Sequence, residues 1–199
     1  MGDATRAYFL SVFAEALDIL DANAIPHLVI GSIANVVHLG DPWEPRSDID
    51  LLVTQQDAAR CLELFGSHGY ATHVRDPDWI YKVAKPNMTI DLIFKSADHI
   101  ALDREILDRA EVKQFEGLQL RVPSVEDMAV HYVLMDTDER PGFWYDAMRY
   151  LRAVEDWKYL TDRGRQLAPT KFLAALLYAQ AIGITIPDDP VRWVASAIG

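Results

Sequence analysis

Apolar positions along the chain fall into two spacings, and the switch between them lays out the architecture. Over 5–22, Tyr8, Phe9, Val12, Phe13, Ala16, Leu17 and Leu20 recur every three or four residues. This predicts an amphipathic helix that Asp3 or Thr5 caps and that Asn23-Ala24-Ile25-Pro26 stops. Residues 27–30 then read as a short buried strand, Gly31-Ser32 as a turn, and Ile33, Val36, Val37 and Leu39 as one face of a short helix. Pro42 and Pro45 keep the loop 40–47 out of regular structure. A second strand follows over 49–53, and a helix over 55–65 with Thr54 at its cap. Beyond a turn at 66–69, three runs at 70–74, 79–83 and 88–94 carry strand-like residues between the turn signals Asp76-Pro77-Asp78 and Lys85-Pro86-Asn87.

The second half changes character. A helix over 101–110 leads into a hairpin, 111–115 and 118–122, about Glu116-Gly117. Past Pro123 the helical period takes over. Ser124 with Asp127 three residues on gives a capping start, followed by Met128, Ala129, Tyr132, Val133 and Met135. After a loop at 136–142, Trp144, Ala147, Met148, Leu151, Val154 and Leu160 predict one helix, with others over 170–181 and 191–197. The order predicts an α/β (α+β) fold: a mixed-sheet core with helices packed on it over 1–122, then a helical part over 123–199.

Composition narrows the setting. Half of the 199 residues are apolar, enough for a core. MGDATRAYFL has no basic stretch leading into an apolar one, Arg6 stands where a myristoylation start needs Ser or Thr, and Gln180, Gly183 and Thr185 break the longest apolar piece. A cytoplasmic protein with no membrane partner is expected. Cys61, the only cysteine, excludes an internal disulfide and a cysteine zinc site. The formal net charge of -11 argues against a general nucleic-acid binder, although the basic residues concentrate in the second half.

The candidate chemistry lies in the second strand. Alternation puts Asp48, Asp50 and Leu52 on one face and Ile49, Leu51 and Val53 on the other. Two such charges about 4 Å apart repel by roughly 4 kcal/mol near a protein surface. Either the strand end is simply solvated, or a divalent cation resolves the conflict; Mg²⁺, a hard ion that takes oxygen ligands, is suited to two carboxylates plus phosphates. Upstream, Gly31-Ser32 lets backbone amides approach an anion. In the 88–94 run, Thr89, Asp91 and Ile93 share a face, and Asp91 needs either water or a cation beside it. Lys82, on the alternate positions of the middle run, is either a phosphate contact or an outward edge charge. Arg46 lies two residues before the first acid, where it can hold a triphosphate or the carboxylates.

Gly31-Ser32-x-Ala34, His38-x-Gly40 and Arg46-x-Asp48-Ile49-Asp50, followed by Asp91, resemble the signature of the nucleotidyltransferase superfamily of polymerase-beta-like fold. The pattern is most similar to bacterial AbiEii-type and toxin-antitoxin-associated nucleotidyltransferases. Pro123-Ser124-Val125-Glu126-Asp127 and Asp146 also fit the outline, whereas His131 stands where the family commonly has Lys, and Gly142-Phe143 where a basic residue and Asp are usual. The resemblance implies transfer of a nucleoside monophosphate from an NTP to a hydroxyl, with release of pyrophosphate. It implies two Mg²⁺ ions on Asp48, Asp50 and Asp91, the last either ligating the second ion or acting as base toward the acceptor hydroxyl, with Gly31, Ser32, Arg46 and Lys82 toward the phosphates. The acceptor it allows is an RNA end, a protein hydroxyl or a small molecule such as an aminoglycoside or lincosamide. A partner toxin or antitoxin protein, or a nucleotidyltransferase-like antitoxin or binding module with little turnover, also falls within it.

Overall fold

In the computed structural model, which describes residues 3–96, 100–137 and 142–198, the strands of the first half form a five-stranded sheet and a separate hairpin. The sheet contains β1 (His27–Val29), β2 (Asp48–Val53), β3 (Ala71–Asp76), β4 (Ile80–Lys85) and β5 (Met88–Ile93), in the order β1-β2-β5-β4-β3. β2 and β5 run parallel and every other neighbour antiparallel. The chain reaches this arrangement by leaving β2 through a helix and returning through two successive antiparallel turns, which restores the strand direction beside β2. The outer strand β3 is exposed over most of its length, and its register shifts between Val74 and Asp76. The chain divides into two compact units, Met1–Pro123 and Ser124–Gly199.

One face of the sheet is the core of the first unit. Ile49, Leu51 and Val53 of β2, Ile90, Leu92 and Phe94 at β5, and Val83 of β4 are buried there in a single cluster. Helix α1 (Asp3–Ala22) lays Phe9, Val12, Phe13, Ala16 and Leu20 into that cluster, and α3 (Gln55–Ser67) adds Ala58, Cys61 and Phe65. Asp3 heads α1, but its side chain, like residues 1–2, lies outside the described set. Thr54 caps α3, its Oγ1 accepting from Asp57 N at 3.1 Å. Burial pushes the Cys61 thiol up to about 12, which leaves it an inert core group.

Between β1 and β2, Gly31 and Ser32 do not form a separate turn. They are the first residues of α2 (Gly31–Leu39), so the strand passes directly into the helix through Ile30. Gly31 makes this possible by adopting φ +66°, a left-handed conformation costly for residues with a β-carbon. At the other end of α2, Gly40 takes φ 70° and its amide returns to Val36 O at 3.1 Å.

The predicted helix over 101–110 is shorter than the apolar spacing suggests: α4 spans Arg104–Arg109. Asp103 sets its start, because Oδ1 accepts from Ile106 N at 2.9 Å and fixes residue 103 as the cap. The hairpin of β6 (Glu111–Phe115) and β7 (Leu118–Val122) turns on Glu116 and Gly117, both with positive φ, as a two-residue turn that matches strand twist requires.

The second unit is helical, and no described helix in the chain is long and apolar enough to cross a membrane. It contains α5 (Val125–Met135), α6 (Phe143–Ala153), α7 (Trp157–Leu167), α8 (Pro169–Ala181) and α9 (Asp188–Ala195). Of the predicted loop 136–142, residues 138–141 lie outside the described set. The single helix expected through Trp144 and Leu160 is two helices, broken at 154–156. The break has a local cause. Oε1 of the buried Glu126 accepts the amides of Glu155 and Asp156 at 3.1 and 3.0 Å, and Asp156 Oδ1 accepts from Tyr159 N at 3.0 Å to start α7. Hydrophobic period alone continues across such a break because both halves face the same core.

Candidate active site

The face of the sheet opposite α1 and α3 carries the acids. Residue register decides which of them meet: Asp50 pairs with Asp91 across the parallel β2–β5 ladder, and Asp91 pairs with Lys82 across the antiparallel β5–β4 ladder. Adjacent strands lie about 4.8 Å apart, so these three side chains form one row, with Asp48 two residues up β2 on the same face. The row ends at His73, opposite Lys82 on the edge strand β3. Asp48, Asp50 and Asp91 thus share one face of the sheet, close enough for the first and last to act on the charge of the second.

Asp50 is the pressed member of the group. Its carboxyl is pushed up to about 7, first by burial, then by the charges of Asp91 and Asp48, with Lys82 and Arg46 pulling the other way. A β1–β2 ladder bond continues from Ile30 N to Asp50 O at 3.0 Å, which brings Gly31 against the carboxylate. A β-carbon on Gly31 would collide with Oδ2 of Asp50. Sequence reasoning assigned this glycine to phosphate approach; the structure adds contact with the acid itself.

Asp91 has its counter-charge. Lys82 Nζ donates to both its oxygens, at 2.7 and 2.6 Å. The edge-charge alternative for Lys82 is overturned, because β3 lies outside β4 and makes β4 an interior strand. Arg46 is exposed at the end of the 40–47 loop, near enough to Asp50 to lower its carboxyl's proton affinity.

The first turn of α2 has no side-chain cap and no acidic residue, so its positive end faces the site beside Ser32. Next to it opens a cleft of about 320 Å³, whose walls include Ser32, Asn35, Asp41, Trp43, Glu44 and Arg46. Trp43 is fixed at its rear by edge-on contacts to Phe9 and Phe115, with ring centroids 5.5 and 4.9 Å away. Asn35 and Trp43 were not singled out from sequence; a helical offset of three from Ser32 is the only signal that could have drawn attention to Asn35. His38 is structural, its Nε2 donating to Pro123 O at 2.9 Å.

In the second unit His131 is buried in α5, and burial holds it down to about 4, so the imidazole is neutral. Asp146 pairs with Arg149 at 3.2 Å one turn along α6.

Among the described residues no three His, Cys, Asp or Glu side chains enclose a point that could hold a metal ion. Mg²⁺ does not require such a cage, since one or two carboxylates plus substrate phosphates suffice. Asp48 and Asp50 are hard oxygen donors on one face, held in mutual repulsion, and they fit it.

The family model for an uncharacterised nucleotidyltransferase matches residues 6–182. Among solved structures, the antibiotic-resistance factor ANT(2'')-Ia superposes with a TM-score of 0.50 at 13% identity, covering 100% of this chain and 86% of that one. The lincosamide antibiotic adenylyltransferase LnuA, lincomycin-bound, gives a TM-score of 0.49 at 11% identity, covering 75% of this chain and 96% of that one. The likeness to ANT(2'')-Ia is one of fold: a mixed sheet with helices, followed by a helical part. No protein of curated function matches the sequence.

Proposed function

Since the chain belongs to this nucleotidyltransferase family, we propose that it transfers a nucleoside monophosphate from an NTP to a hydroxyl acceptor in a Mg²⁺-dependent reaction that releases pyrophosphate. The observation that carries this reading is the register placing Asp50 opposite Asp91, with Asp48 on the same face and the uncapped start of α2 beside them.

Asp48 and Asp50 would hold Mg²⁺, which when bound supplies positive charge to the triphosphate and the leaving pyrophosphate. The amides of the first α2 turn and the Ser32 hydroxyl donate to the terminal phosphates, and the close fit of Gly31 on Asp50 brings that turn to the acids. Arg46, exposed at the rim, reaches the phosphates as a bidentate donor. The acceptor oxygen attacks the α-phosphorus in line, the bond to the β-phosphate oxygen breaks, and pyrophosphate leaves with that electron pair. Asp91 receives the hydroxyl proton, its carboxylate aimed by Lys82.

A cationic small molecule is the acceptor class the surface favours. The cleft beside the start of α2 presents Asp41 and Glu44 next to Trp43, and the chain's formal net charge of -11 repels a polyanion. RNA ends and protein hydroxyls, as in a toxin-antitoxin pair, are the competing acceptors.

The test is incubation with Mg²⁺ and each α-labelled NTP, offering an aminoglycoside, a lincosamide, tRNA and a protein mixture in turn. Label is expected on a small cationic acceptor, and Asp48→Asn or Asp50→Asn should abolish it with circular dichroism unchanged. Label on RNA or protein would keep the chemistry and replace the acceptor. No labelled product with any NTP, or full activity in both variants, would overturn the reading.

A further inference from the structure

Lys82 occupies both oxygens of Asp91. In a site with two metal ions, the third carboxylate must give at least one oxygen to the second ion. Here both oxygens accept from the same ammonium at 2.7 and 2.6 Å. Lys82 is not a flexible surface group that has swung inward: it is directly opposite Asp91 in an interior strand, so the ladder itself delivers its stem to the carboxylate. The pair is well shielded, with the Asp91 side chain 13% and the Lys82 side chain 32% exposed.

Resting on the reading above, we propose that Lys82 takes the place of a second metal ion, so that this chain works with a single divalent cation, held by Asp48 and Asp50, while Asp91 stays on the lysine as a positioned carboxylate. Lys82 is then a positioning residue, acting on the reaction through Asp91. The remaining donors support this division. Asp48 is exposed and Asp50 adjoins the start of α2, where triphosphate oxygens would join them in holding the ion, whereas Asp91 lies on the far side of Asp50 from that helix end.

The experiment counts ions directly. Wild-type protein saturated with α,β-methylene-ATP is titrated with Mn²⁺, and bound metal is read by electron paramagnetic resonance and equilibrium dialysis. The nucleotide's own share is subtracted with an Asp48→Asn/Asp50→Asn control. One ion per chain is expected in the wild type. Lys82→Met, which frees Asp91, should raise the count to two with the spin-coupled signature of a close metal pair, and Lys82→Arg, which keeps the cation, should restore one. Two ions in the wild type would overturn this inference and leave the nucleotidyltransferase reading standing, as would a count of one that Lys82→Met does not change. No ion beyond the control in any variant would overturn both. Circular dichroism checks that the Asp48→Asn/Asp50→Asn control, Lys82→Met and Lys82→Arg are folded.

Discussion

Gly31 and Asp50 are in direct contact across the β1–β2 ladder, the glycine backbone filling the space where any side chain would meet Oδ2 of the carboxylate. Gly31→Ala therefore suffers twice: the left-handed φ of +66° costs a β-carbon about 1–2 kcal/mol, and Asp50 must move. The expected outcome is a lower midpoint in chemical denaturation and loss of NTP binding, read by fluorescence of a labelled analogue. A variant as stable and as tightly binding as the parent would show that the contact is not required.

Asp50 should cost the metal-free protein stability as the solution is made less acidic. The Asp50 carboxyl is raised from 3.8 to about 7, so between those values the folded chain holds a proton that the unfolded chain has released. Folding is then progressively disfavoured as pH rises through that window and levels off above it. In thermal denaturation from pH 4 to 8 the difference between the parent and Asp50→Asn should follow this slope, with the variant's Tm the higher at pH 8, and millimolar Mg²⁺ with NTP at pH 8 should raise Tm of the parent far more than of the variant.

His131 predicts the opposite slope for the second unit. Its imidazole is lowered from 6.5 to about 4 by burial, so the unfolded chain binds the proton first as pH falls through 6.5. Stability present above pH 6.5 is lost down to about pH 4. His131→Lys buries an ammonium and should destabilise by about 3 kcal/mol or more at pH 7. Urea denaturation followed by tryptophan fluorescence checks both statements.

Glu126→Ala should unravel the junction between α6 and α7. It leaves the amides of Glu155 and Asp156 without their acceptor at a half-buried site, a cost of about 2–3 kcal/mol. Amide hydrogen exchange should speed up at 155–159 first, with exchange in the β2 and β5 amides unchanged.

How much was legible beforehand depended on whether neighbours or distance set the outcome. The alternation of Asp48, Asp50 and Asp91 with Ile49, Leu51, Ile90 and Leu92 assigns faces from local period alone, and the observed core and acid faces follow it. The hairpin at Glu116-Gly117 and the caps at Thr54 and Ser124 were equally local. The break between α6 and α7 was not, because Glu126, about thirty residues away, makes it. Lys82 shows both sides of this limit: its face could be read from alternation, but its pairing with Asp91 depends on which strands are neighbours and in what register. The narrower likeness to AbiEii-type proteins does not follow from the matches, which speak for the nucleotidyltransferase family and the fold.

The register shift between Val74 and Asp76 also bears on how this molecule behaves in a crowded solution. An extra residue there coils the outermost strand and puts its free amides and carbonyls out of step with those of any incoming extended chain. The sheet has a spoiled selvedge, and copies of this protein should resist zipping together along it, however concentrated they become.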